Sequence, residues 1–86
     1  MNMKNIEKLK EYTNDPIVVF DNLDYDSALI GITEDNRAVY DYDLMIKYLM
    51  DTQGWDETES IEWIEYNTLR ALPYVQGSPI IMYRFD

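Results

Sequence analysis

The hydrophobic periodicity of the chain changes along its length, and this change is the strongest constraint on its fold. Short runs of β-branched, aliphatic and aromatic residues lie at 17–20, 28–32, 37–40 and 80–83. Between the third and fourth runs, residues 42–69 carry apolar side chains at helical spacing. Short apolar runs bounded by turn residues are typical of strands, whereas spacing near 3.6 residues is typical of amphipathic helices. The pattern therefore predicts strands and helices in separate blocks.

These blocks predict an α+β protein with the element order α-β-β-β-α-α-β. Such an order favours a single small domain over residues 1–86, with about four mainly antiparallel strands and helices packed on one face. We expect the last strand to pair with the strand over 17–20, because its helical connection is long enough for a crossover. An N-terminal helix, within residues 1–14, can be an appendage to this domain. The helices are predicted over 2–12, 42–52 and 57–69.

Local signals fix the ends of the two long helices. Asp41 is predicted to cap the helix over 42–52, and Gly54 to end it in a left-handed conformation. Asp56 and Glu59 are spaced like a capping box at the start of the next helix. The core is predicted from the inward positions of these elements. It comprises Val18, Phe20, Leu29, Ile30, Val39, Ile46, Leu49, Ile61, Ile64 and Ile81.

The chain contains neither cysteine nor histidine. Disulfides and thiolate chemistry are therefore excluded, and the commonest general base and metal ligand are missing. The serines have no histidine to activate them, and carboxylate pairs are too numerous in this chain to single one out. The sequence consequently predicts no enzyme, no catalytic residue and no cofactor.

A run of carboxylates at Asp21, Asp24 and Asp26 is the only candidate for a cation loop. Oxygen ligands of this kind suit Ca²⁺ or Mg²⁺. However, the glycine and the distal glutamate of an EF-hand are missing, and aspartates in loops commonly bond backbone N–H groups instead. We therefore predict a turn here and no metal site.

The charge of the chain restricts its partners. Seventeen acids against seven bases give a net charge of −10. Direct nucleic-acid binding is disfavoured because phosphate contacts need lysine and arginine, and anionic membranes are disfavoured for the same reason. A protein with a basic surface is the partner that this charge favours, whereas solubility is the simpler explanation of the acidity. The sequence does not indicate whether the chain forms homo-oligomers.

The helix over 57–69 carries the candidate interaction site. No lysine or arginine occurs between Lys47 and Arg70, whereas this stretch holds six acids. Helical spacing places carboxylates beside large aromatic side chains, and aromatic anchors dominate protein interfaces. Alternatively, the two aromatic residues pack against the fold and only the glutamates are exposed. The candidate residues are Asp56, Glu59, Glu62, Trp63, Glu65 and Tyr66.

From Pro16 onwards the chain resembles small acidic proteins encoded by bacteriophages and prophages. The resemblance lies in the segments 15–17, 20–21, 28–31, 38–42, 45–46, 65–67 and 78–80. It implies a phage origin and a location in the host cytoplasm, with which the lack of a signal-peptide-like N-terminus agrees. It implies no activity, cofactor or catalytic residue.

Charge and resemblance together favour a phage-encoded binding protein that modulates or inhibits a host protein. In its sharpest form this protein is a DNA mimic acting on a nucleic-acid-binding or defence protein, with carboxylates taking the place of phosphates. The alternative is a structural or housekeeping module of the phage whose acidity serves only solubility.

Overall fold

The structure, a computed structural model, describes residues 4–20 and 25–85. It shows an α+β fold in which the described part contains three α-helices and one three-stranded sheet. The helices are α1 (Asn5–Lys10), α2 (Tyr42–Gln53) and α3 (Glu57–Trp63). The strands are β1 (Leu29–Ile32), β2 (Ala38–Asp41) and β3 (Ile80–Met82).

The first two strands form the predicted hairpin. They pair antiparallel, and the connecting turn places Asn36 at a φ of 62°, a conformation that asparagine tolerates better than most residues. The Thr33 N–H donates to the Arg37 carbonyl at 2.8 Å, which closes the turn. The polar turn residues thus formed the connection that their composition indicated.

The third strand lies beside β2, so the predicted pairing with residues 17–20 is wrong. β3 runs parallel to β2, with Val39 opposite Ile80, and the sheet is mixed rather than mainly antiparallel. A parallel pair needs a long crossover, and the two helices between β2 and β3 supply it. Arg37 also holds the chain entering β3, since its Nε donates to the Ser78 carbonyl at 2.9 Å.

Residues 17–20 form no strand, and the prediction of a strand there is wrong. Ile17, Val19 and Phe20 are partly buried against the core, whereas Val18 is 39% exposed. The Phe20 N–H donates to the Tyr40 hydroxyl at 3.3 Å instead of to a neighbouring strand. The segment therefore packs its apolar side chains against the core without joining the sheet.

The predicted core is correct at its centre and wrong at two positions. Leu29, Leu49 and Ile64 are buried, whereas Val18 and Ile30 are exposed. The register of the hairpin is irregular between Leu29 and Gly31, so Ile30 lies at a bulge in β1. Consecutive strand residues face opposite sides, and so Leu29 and Ile30 cannot both point into one core. The other five predicted core residues, Phe20, Val39, Ile46, Ile61 and Ile81, are partly buried.

Tyrosines supply much of the core that the sequence did not predict. Tyr25 and Tyr40 are each 2% exposed, and Phe20 contacts both rings at centroid distances of 5.9 and 4.6 Å. The ring centroid of Tyr48 lies 5.4 Å from that of Tyr25. Large aromatic rings bury much apolar surface per residue, which helps a domain with few core positions.

A carboxylate distant in sequence caps helix α1. The Asp26 side chain accepts from the Asn5 and Ile6 N–H groups, each at 2.8 Å. On the other side Leu9 is 4% exposed and belongs to the core. α1 is thus fixed to the fold at its first turn and on its apolar face. It is shorter than the predicted 2–12, of which residues 1–3 lie outside the described part.

The ends of α2 confirm the local predictions. The Asp41 carboxylate accepts from the Leu44 N–H at 3.1 Å, and Gly54 follows the helix at a φ of 72°. Asp41 also binds Arg84, whose Nε lies 2.7 Å from Oδ2. This ion pair connects the start of α2 to the residues after β3.

None of the described helices is long and apolar enough to span a membrane.

Candidate protein interface

A capping box fixes the start of α3, as the sequence predicted. The Asp56 carboxylate accepts from the Glu59 N–H at 2.8 Å, and the Glu59 carboxylate accepts from the Asp56 N–H at 3.3 Å. One turn later Ser60 is fully buried and its hydroxyl donates to the Asp56 carbonyl at 2.9 Å. α3 therefore has a defined inner face on the side of Ser60.

After Trp63 the helix changes type twice. A π-helical segment covers Ile64–Thr68 and a 3₁₀ segment covers Leu69–Tyr74, so the predicted uninterrupted helix over 57–69 is wrong beyond Trp63. A π turn takes more residues per turn than an α turn, so it shifts the angular positions of all later side chains. Ile64 remains fully buried, and the side-chain amide of Asn67 donates to the Trp63 carbonyl at 3.3 Å.

The outer face of this helical region carries the candidate residues. We call the set Asp56, Glu59, Glu62, Trp63, Glu65 and Tyr66 the acidic–aromatic surface. Its carboxylate residues are all exposed, and Tyr66 is 68% exposed. Trp63 is partly buried and packs on Trp55 at a centroid distance of 5.4 Å. Of the two aromatic residues, one is therefore packed and the other is presented to solvent.

Most of these side chains line two adjoining shallow concavities. Glu59, Glu62, Trp63 and Tyr66 line the first, together with Trp55 and Asn67. Glu62, Glu65 and Tyr66 line the second, together with Arg70. Glu62 and Tyr66 are common to both. Asp56 lines neither, since it lies at the N-cap of α3.

Two side chains of this region were missed from the sequence. Arg70 places its guanidinium 4.9 Å from the centre of the Tyr66 ring, a cation–π contact. The four-residue spacing between Tyr66 and Arg70 is a signal that could have shown it. Trp55 immediately precedes the predicted helix cap, and only the tertiary fold shows that it contacts Trp63.

One of the six acids between Lys47 and Arg70 is paired with a lysine. Asp51 is paired with Lys47 on α2 at 3.0 Å, so it does not add to an uncompensated negative field. Glu65 lies near Tyr42, whose pKa is raised first by burial and then by this carboxylate. The other acids of this region belong to α3, its N-cap and the π-helical segment.

The described residues offer no alternative metal centre. Within 4–20 and 25–85, no three carboxylates come close enough together to hold a metal ion. Asp26, from the predicted loop, uses its carboxylate to cap α1. Asp21 and Asp24 lie outside the described residues, so the prediction that this loop binds no metal stays a prediction.

The chain matches no known protein family, no curated protein and no solved structure. The resemblance to phage-encoded proteins and the functional expectations attached to it therefore stay predictions.

Proposed function

We propose that this protein binds another protein that has a basic surface, and that it does so through the acidic–aromatic surface. The observation that carries the proposal is the exposed ring of Tyr66 among the carboxylates of Glu59, Glu62 and Glu65. Aromatic rings anchor interfaces, and carboxylates around them steer a basic partner into place. The combination supports binding more strongly than either feature does alone.

Solubility alone is a poorer explanation of this surface. Solubility needs negative charge somewhere on the molecule, but it gains nothing from an exposed tyrosine beside the charge. Lysines placed four residues from the glutamates would also relieve their mutual repulsion. α3 has none, and Arg70, the cation on this surface, contacts a ring.

The finer form of the proposal concerns the partner and its setting. We propose that the protein is phage-encoded, that it acts in the host cytoplasm without catalysis, and that it modulates or inhibits a host protein. A nucleic-acid-binding or defence protein is the class of partner that fits best. Its lysines and arginines would contact Glu59, Glu62 and Glu65 in place of DNA phosphates.

An affinity capture with a matched bait tests the proposal. The parent protein and the Glu59→Lys, Glu62→Lys variant are immobilised, and host lysate is passed over both at increasing salt. We expect a basic protein that the parent retains, that the variant does not retain, and that moderate salt releases. DNA added as a competitor should displace it if the carboxylates occupy a nucleic-acid site.

Two results would contradict the proposal. Equal capture by the parent and the variant would show that this surface is only solvated. A partner whose retention does not change with salt would show that its binding does not depend on these charges. If added DNA does not displace the partner, the protein is not a DNA mimic, but the proposal that it binds a basic protein is unaffected.

A further inference from the structure

Both tryptophans of the chain lie in one place on its surface. The chain has only two tryptophans, Trp55 and Trp63, and both line the first concavity of the acidic–aromatic surface. Their ring centroids are 5.4 Å apart with an angle of 45° between the ring planes. Tyr66 lines the same concavity. Three aromatic rings therefore meet around one shallow depression.

Carboxylates complete the lining of this depression. Glu59 and Glu62 stand beside the rings and are exposed. The face of an aromatic ring attracts a cation, and tryptophan does so most strongly. A neighbouring carboxylate adds a charge-assisted hydrogen bond to any cation that carries N–H groups. Rings and carboxylates together therefore recognise an organic cation better than they recognise a neutral or anionic group.

The protein already binds one such group on the same surface. The guanidinium of Arg70 lies 4.9 Å from the centre of the Tyr66 ring, in the adjoining concavity lined by Glu62 and Glu65. This internal contact pairs an arginine with an aromatic ring in a depression that two glutamates also line. The first concavity offers similar surroundings and has two further rings, but none of its own lining residues is a cation.

From this arrangement we infer that the first concavity binds an arginine side chain presented by the protein's partner. The inference rests on the proposed function and specifies the residue that the partner inserts. Arginine fits better than lysine because its flat guanidinium stacks on rings while its N–H groups reach carboxylates in the same plane. A lysine ammonium is more strongly hydrated and offers no flat face for stacking.

Tryptophan fluorescence tests this inference directly, because both tryptophans report from the concavity. The full chain is titrated with short peptides of equal length composed of arginine, lysine or citrulline, the last being a neutral analogue of arginine. We expect a saturable change with the arginine peptide, binding about three- to tenfold weaker for the lysine peptide, and none for citrulline. Equal affinity for arginine and lysine would overturn the inference but leave the proposed function intact.

Matched variants locate the site. Tyr66→Leu should weaken binding of the arginine peptide about three- to tenfold, whereas Tyr74→Leu should not change it. Tyr74 is a suitable control because it is 88% exposed and lines neither concavity. In the same way Glu62→Gln should weaken binding, and Glu57→Gln, which alters an exposed acid outside both concavities, should leave it within twofold.

The variants also separate failure of the inference from failure of the fold. All four positions are exposed, so unfolding midpoints should match the parent, and the affinities can then be compared directly. If Tyr66→Leu and Tyr74→Leu bind the arginine peptide equally well, the inference is wrong. If the arginine peptide does not bind the parent at all, the inference is also wrong. The salt-dependent capture described above then decides the proposed function independently.

Discussion

The hydroxyl of Tyr25 provides a sharp test of the packing. Tyr25 is 2% exposed, and no described group forms a hydrogen bond with its hydroxyl oxygen. Burial raises the pKa of this tyrosine. The side chains of Thr68 and Trp63 lie close enough to favour the ionised form and so oppose this shift in part, but neither forms a hydrogen bond of ordinary geometry with the hydroxyl. A buried polar group without a partner costs about 1–3 kcal/mol. Replacing Tyr25 with phenylalanine should therefore stabilise the protein, because the ring remains and the unpaired hydroxyl is removed.

We expect Tyr25→Phe to raise the free energy of unfolding by about 1 kcal/mol, the low end of that range because removing the hydroxyl also removes the van der Waals contacts of its oxygen. For a domain of this size, such a gain raises the melting temperature by roughly 4–8 °C. Tyr40→Phe is the matched control. The Tyr40 hydroxyl accepts the Phe20 N–H at 3.3 Å, so its removal should destabilise the fold by about 1 kcal/mol.

Alkaline pH gives the same test a second readout. The pKa of Tyr25 is raised from 10.0 in the folded state, so the unfolded chain loses this proton first. The contribution of Tyr25 to the free energy of unfolding is therefore fully present below pH 10. It decreases as the pH rises from 10 towards the pKa of Tyr25 in the folded protein. Tyr25→Phe should reduce this fall without abolishing it, because burial also raises the pKa of Tyr42. Urea unfolding at neutral and alkaline pH measures both effects. If Tyr25→Phe destabilises the protein as much as Tyr40→Phe does, the Tyr25 hydroxyl has a hydrogen-bond partner and the prediction is wrong.

Three further predictions concern the core, the cap of α1 and the acidic–aromatic surface. Ile64→Ala should cost about 2–5 kcal/mol in urea unfolding, because Ile64 is fully buried and the smaller side chain leaves a cavity; an unchanged midpoint would show that Ile64 is not in the core. Asp26→Ala should cost about 1 kcal/mol and speed hydrogen exchange of the Asn5 amide, which loses its acceptor; unchanged exchange would contradict the cap. Glu59→Lys with Glu62→Lys should lower the melting temperature by no more than a few degrees, because relief of like-charge repulsion partly offsets the loss of the Glu59 half of the capping box. A large loss of stability would show that these glutamates hold the fold together.

Sequence reasoning succeeded where the signal was local. Asp41, Gly54 and Asp56 each act on groups within a few residues, and all three were predicted and confirmed. The hairpin of β1 and β2 was predicted for the same reason, because its turn chemistry is contained in a few residues. Short-range chemistry of this kind depends little on the rest of the fold.

Sequence reasoning failed where the outcome depended on distant partners. Residues 17–20 have the composition of a strand, but β3, not this segment, occupies the free edge of β2. The cap on α1 comes from Asp26, twenty-one residues beyond Asn5. Helical spacing placed Glu59, Glu62 and Tyr66 on an exposed face, yet it could not reveal the π-helical segment.

The salt dependence of binding between this protein and the partner that it captures shows whether the acidic–aromatic surface takes part in the interface. Dissociation constants are determined for the parent and for the Glu59→Lys, Glu62→Lys variant between about 50 and 200 mM salt. We expect the parent to lose affinity steeply as salt rises, and the variant to bind more weakly with a shallower salt dependence. Superimposable curves for the two proteins would contradict the proposed function, because the acidic–aromatic surface would then take no part in binding.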